Sequence, residues 1–187
     1  MSDALQQHPL EAMTGKPEDD HTEQQLSEAA TRARRTAAAH LDRIVLDSRL
    51  LSTLRQFQRE HLGDYSRLMR YFGATHQYDP RHPSAHDYAL YFELQWSDEP
   101  VDFSAEETPA GCYTIQVQVL DDSSGMDSIA FPSVFLRCTR AEWEGDSTAL
   151  TRTLHLAYDY AMHGRKRTTQ AYRHPWDIQT LYDIQML

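Results

Sequence analysis

A chain of 187 residues, 40% hydrophobic and 25% charged, can build a sizeable core without disulfides or metals. Its formal charge of −10 disfavours nucleic acid and anionic lipid as partners, and no apolar run approaches the roughly 20 residues of a membrane-spanning helix. The only cysteines, Cys112 and Cys138, lack CxxC spacing, which argues against a disulfide framework and fits a reducing, cytoplasmic compartment.

The first 25 residues hold no basic region followed by an apolar block, so no secretory signal is expected. Asparagine is absent, and only Lys16 and Lys166 of the 18 basic residues are lysine. That bias fits a GC-rich bacterial genome and removes the usual Asn turn signals. Residues 1–21 are polar and carry no sustained apolar period, which predicts a disordered N-terminal tail. The remainder, 22–187, reads as one α+β domain.

Thr22, with Glu23 and Gln25 after it, offers a helix start. Leu26, Ala30, Ala33, Ala37, Leu41 and Ile44 then recur at steps of three and four, one apolar stripe along a helix. Its alanines allow close approach of another surface but bury little area. Asp47-Ser48 can cap a second helix with Leu50, Leu51, Leu54 and Phe57 on its apolar face, ending at Gly63. The two could equally be one continuous rod, because Asp and Ser interrupt a helix only weakly. Asp64 can cap a third helix with Tyr65, Leu68, Met69 and Phe72 at i, i+3, i+4 and i+7, ending at Gly73. Residues 22–73 are thus expected to be helical.

The linker THQYDPRHPSAHD follows, and the period changes to two. Tyr88, Leu90, Phe92, Leu94 and Trp96 share one face of a strand, with Ala89, Tyr91, Glu93 and Gln95 on the other. Tyr113, Ile115, Val117 and Val119 repeat the pattern against Thr114, Gln116 and Gln118. One apolar and one polar face imply antiparallel pairing with one side wet. A third strand is expected over 129–139, at an edge or bulged because Pro132 cannot donate to the ladder. These strands span 87–139. A helix over 146–163 begins at Asp146 or Ser147, buries Leu150, Leu154, Ala157, Tyr158 and Ala161, and stops at Gly164. Residues 174–187 form an apolar C-terminal segment that should pack on its own domain or on another chain. The architecture expected is α+β: N-terminal helices, a three-stranded antiparallel meander covered on one face by helices, then a C-terminal helix and the apolar tail segment.

Several chemistries lack their motif. There is no GxxxxGK[ST], GxGxxG or GxSxG, and none of the seven glycines cluster into a phosphate cradle. Asp121-Asp122 with Asp127 lacks the ligand alternation of a calcium loop and reads as a turn. Two histidine groups stand out. His76, His82 and His86 lie in the linker beside Asp79 and Asp87, whereas His155, Asp159 and His163 recur every four residues on the last helix. Imidazole and carboxylate are ligands for divalent metals, and the groups would form one site if His82 or His86 met His155. Without regular spacing in the linker, a histidine-bearing connection is the simpler reading.

Charge is segregated. From Glu93 to Asp127 there are nine acidic residues and no basic one, while 32–70 is rich in arginine. This asymmetry suggests contact with a protein partner or a second copy of the chain. The preferred expectation is a non-catalytic, acidic protein-binding module of a bacterial cytoplasm: a chaperone, adaptor, inhibitor or accessory subunit needing no cofactor. Its contact surfaces would be the alanine stripe and the apolar terminus, with Trp176, Ile178, Leu181, Tyr182 and Met186, together with the acidic Glu106 and Glu107. The alternative is a small metal-dependent enzyme or metal sensor holding a divalent cation through His76, His82, His86, His155, Asp159 and His163. A further alternative is a nucleic-acid-related regulator or DNA mimic.

Overall fold

A computed structural model describes residues 18–75, 77–104, 107–122, 126–131, 136–146, 148–164, 167–170 and 177–182. It describes only the backbone of 18–22, 130–131, 136 and 177–182. The class is α+β. Helix α1 (Glu18–Asp47) and helix α2 (Leu50–Phe57) precede strands β1 (Ser66–Ala74), β2 (Tyr88–Trp96), β3 (Tyr113–Asp121), β4 (Asp127–Phe131) and β5 (Leu136–Thr139). Helices α3 (Arg140–Gly145) and α4 (Ala149–His163) and strand β6 (Asp177–Tyr182) complete the order. The described strands form one sheet in the order β5-β4-β3-β2-β1-β6, with every neighbouring pair antiparallel.

The long N-terminal helix breaks where the sequence weakens it. Arg49 takes the left-handed conformation with φ 56, and the Ser48 hydroxyl accepts the Leu50 amide at 3.3 Å. Helix α2 runs into a π-helical turn, Gln58–Leu62. Gly63 ends that turn at φ 70, a conformation a side chain would strain.

The helix expected over 64–73 is instead strand β1. Leu68 and Phe72 join the core beneath the helices, while Met69 and Tyr71 join a second cluster on the opposite face. A strand buried on both faces loses the alternation that identifies it, and its apolar positions can mimic a helical stripe. The single strand expected over 129–139 is two, β4 and β5. Pro132 lies outside the described residues, and β5 occupies an edge. With β6 added, the described sheet has six strands rather than three.

One face of the sheet carries the main core. Leu41, Ile44, Leu54, Phe57, Leu154 and Ala157 from the helices meet Leu68, Leu90, Phe92, Leu94, Ile115 and Val117. The other face was expected to be wet along β2, yet all nine residues of β2 are buried. Glu93 and Gln95 are both 0% exposed. Buried polar groups are tolerated when they are hydrogen-bonded, and these are. Arg67 donates from Nε to Gln95 Oε1 at 2.7 Å, from Nη1 to the Phe103 carbonyl at 3.0 Å and from Nη2 to the Glu107 carbonyl at 2.7 Å. Gln95 Nε2 donates to Glu93 Oε1 at 2.5 Å and to Thr108 Oγ1 at 2.6 Å. The Tyr71 hydroxyl donates to Glu93 Oε2 at 3.0 Å. This network fastens the segment after β2 across the second face. Nearby, burial pushes the Tyr91 phenol up to about 12.

Candidate functional site

Strands β3 and β4 form a hairpin whose register sets Asp121 directly opposite Asp127. Like charges directly opposite one another across a ladder repel, so this end of the hairpin calls for a positive group. Helix α1 supplies His40 between its buried residues Ala37 and Leu41. Its Nε2 lies 3.0 Å from Asp127 Oδ1 and 3.6 Å from Asp121 Oδ2. The short 3₁₀ turn Ala85–Asp87 supplies His86. A capping box between Ser84 and Asp87 fixes that turn, and His86 Nδ1 reaches Asp121 Oδ2 at 3.3 Å.

The second oxygen of Asp127 accepts Arg140 Nη1 at 2.8 Å. Arg140 also bonds Glu144 through Nε at 2.5 Å and lies 3.7 Å from Asp47, so one guanidinium serves three carboxylates. The Asp127 side chain is only 10% exposed, while His40 and His86 are 41% and 47% exposed. The cluster therefore opens to solvent on its imidazole side. Its donors can share a proton, as an imidazolium between two carboxylates, or hold a cation.

Among the described residues, His40, Asp121 and Asp127 are the one group of three whose ligand atoms all lie within 4.8 Å of one another. The histidines singled out in the sequence go to different places. His86 borders this cluster. His82 pairs locally with Asp79 at 3.1 Å, and that contact lowers the Asp79 carboxyl below its ordinary range. The His155 ring meets His61 edge-on at 4.6 Å and Phe57 at 5.2 Å. His163 bonds the Asp159 carbonyl of its own helix at 2.7 Å, and both residues are exposed. His76 lies outside the described residues. His40 carried no sequence signal of its own. The Asp pair did carry one, because two aspartates flanking a glycine-bearing turn become opposite partners in a hairpin.

The expected contact residues divide similarly. Ile178, Leu181 and Tyr182 lie in β6, whose backbone pairs with β1 opposite Tyr71, Met69 and Leu68. That part of the C-terminal segment adds an edge strand to its own sheet. Glu107 is exposed and its carbonyl holds Arg67. Trp176, Met186 and Glu106 lie outside the described residues. The alanine stripe is covered unevenly. Ala37, Leu41, Ile44 and Val45 are buried, whereas no residue from Glu23 to Thr36 is, and Leu26, Ala29, Ala30 and Ala33 are half-buried.

Other reactive groups are quiet. Burial raises both the Cys112 and Cys138 thiols, which disfavours the thiolate a nucleophile needs. A cleft of about 380 Å³ beside Cys138 is lined by Arg137 and Arg152, but these cations are paired with Asp122 and Asp146. No described helix is long and apolar enough to cross a membrane. No protein-family model, curated protein or solved structure matches the chain.

Proposed function

We propose that this chain is a non-catalytic protein-binding module, an adaptor or chaperone-like subunit, that docks through the first half of α1. One observation carries the reading: fourteen residues of helix, Glu23–Thr36, display an apolar stripe and bury no residue fully. Short helices owe most of their stability in water to packing of an apolar face, and a helix presenting i, i+3, i+4 and i+7 anchors suits a groove on another protein. Leu26 and Ala30 would be the anchors, since Ala33 already packs against the main core. Arg32 and Arg35 are exposed on the same segment and favour an acidic rim on the partner. The exposed Glu99, Asp102 and Glu107 of a second copy offer that chemistry, so self-association belongs to the same reading. Raised thiols and a closed, satisfied network around Glu93 leave no activated nucleophile or unpaired buried acid in these groups, which supports binding over catalysis.

The test uses full-length chain and the double variant Leu26→Glu/Ala30→Glu. Sedimentation and capture from the source organism's lysate should show a complex with wild type that the variant loses, while circular dichroism and Tm stay unchanged. Equal oligomeric mass and the same captured protein with both chains would refute docking through α1.

A further inference from the structure

We infer that His40, Asp121 and Asp127 form a binding site for one divalent transition cation, zinc being the reference case. This rests on the hairpin cluster and is independent of docking through α1. Ligand geometry comes first. Nitrogen and oxygen ligands about 2.0–2.1 Å from a tetrahedral zinc stand roughly 3.3 Å from one another. His40 Nε2 is 3.0 Å from Asp127 Oδ1 and 3.6 Å from Asp121 Oδ2, and the three atoms lie mutually within 4.8 Å. The two spacings from His40 are therefore already close to the bound value, and the ligands come from three elements that the core fixes in place. The fourth position faces solvent beside the half-exposed imidazole.

Charge supplies a second reason. Register forces Asp121 and Asp127 to face each other. A neutral His40 has one ring proton to offer at Nε2, shared between two carboxylates. A dication neutralises both and relieves the cross-strand repulsion.

The surroundings supply a third. Ligating carboxylates in metal sites are themselves held by hydrogen bonds that orient them. Here Arg140 Nη1 holds the far oxygen of Asp127 at 2.8 Å. His86 Nδ1 lies 3.3 Å from Asp121 Oδ2. One imidazole with two carboxylates selects zinc, manganese or iron over magnesium or calcium, which favour all-oxygen shells. Binding requires His40 deprotonated at Nε2, so its proton resides on Nδ1 or leaves to solvent. Because the ligands come from α1 and from the hairpin, the cation would fasten the seated half of α1 to β3 and β4.

The experiment uses tag-free, full-length protein stripped with a chelator and titrated with Zn²⁺ by calorimetry, with elemental analysis of the loaded protein. The expected result is one Zn²⁺ per chain, a raised Tm on loading, and at least about a hundredfold weaker binding in both His40→Gln and Asp121→Asn. His86→Ala should weaken binding about 10–100-fold, as loss of an orienting partner does. His82→Ala and His163→Ala should bind as wild type. The substitutions are close in size to the residues they replace, so folded variants are expected, and circular dichroism checks each. No stoichiometric Zn²⁺, or unchanged affinity in folded His40→Gln, would overturn the site.

Discussion

The two halves of α1 carry the same kind of apolar stripe and meet different surroundings. From Ala37 to Val45 the stripe is buried against the sheet. From Glu23 to Thr36 it is at most half-buried, although Leu26, Ala30 and Ala33 continue the same spacing. Periodicity shows that a helix has an apolar side. It does not show whether the chain's own sheet is long enough to cover that side. Here the core covers one half fully and the other only in part, with Ala33 packed against it and Arg34 lying over the Phe72 ring.

The largest effect is expected in the seated half. Leu41→Ala should cost about 2–5 kcal/mol in urea unfolding, as core truncations do. Leu26→Ala should stay within about 0.5 kcal/mol. Equal losses at both positions would mean that the halves are equally buried. Amide exchange of the isolated chain provides the next test. Amides of 23–33 should exchange through local opening, well before those of 38–46, whose release needs core disruption.

A weaker effect is expected at the ion pair between Asp42 of the seated half and Arg70 of β1. Asp42 is half exposed, so Asp42→Ala should cost less than about 1 kcal/mol, and less still at high salt. The smallest effect concerns the cap of α3, whose Arg140 borders the site that receives His40. Glu142 accepts hydrogen bonds from the Thr139 amide and hydroxyl, which lower its carboxyl below the ordinary 4.5. A depressed folded pKa gives stability that is present above the unfolded value and lost as pH falls through the folded one. Glu142→Gln should therefore remove a small acid-dependent loss of stability below about pH 4.5 and leave the pH 7–8 profile unchanged in shape.

How much was legible follows from burial. Helices α1, α2 and α4 and strand β3 each have one apolar side, and their periods reveal them; β2 is buried on both sides, but Glu93 and Gln95 keep its alternation visible. Strand β1 has two buried sides, with Arg67 inside, so its pattern resembled a helix. Glu93 and Gln95 looked like a wet face because hydrogen-bond satisfaction is invisible in a one-dimensional pattern. Their partners Arg67, Tyr71 and Thr108 lie on other segments. The site was half legible for the same reason. His86 stood out in a histidine-rich linker, but its neighbours Asp121, His40 and Asp127 come from distant positions, joined by hairpin register and the placement of α1. Strand β6 was legible only as apolar, since short apolar segments do not declare their pairing.

The proposed docking surface is the first half of α1. Hydrogen exchange read by mass spectrometry tests it most directly, comparing the free chain with the complex obtained by capture or at high concentration. New protection is expected across Glu23–Thr36, with Ala37–Val45 unchanged because that half is already buried. Protection arising elsewhere, with Glu23–Thr36 exchanging as in the free chain, would contradict it.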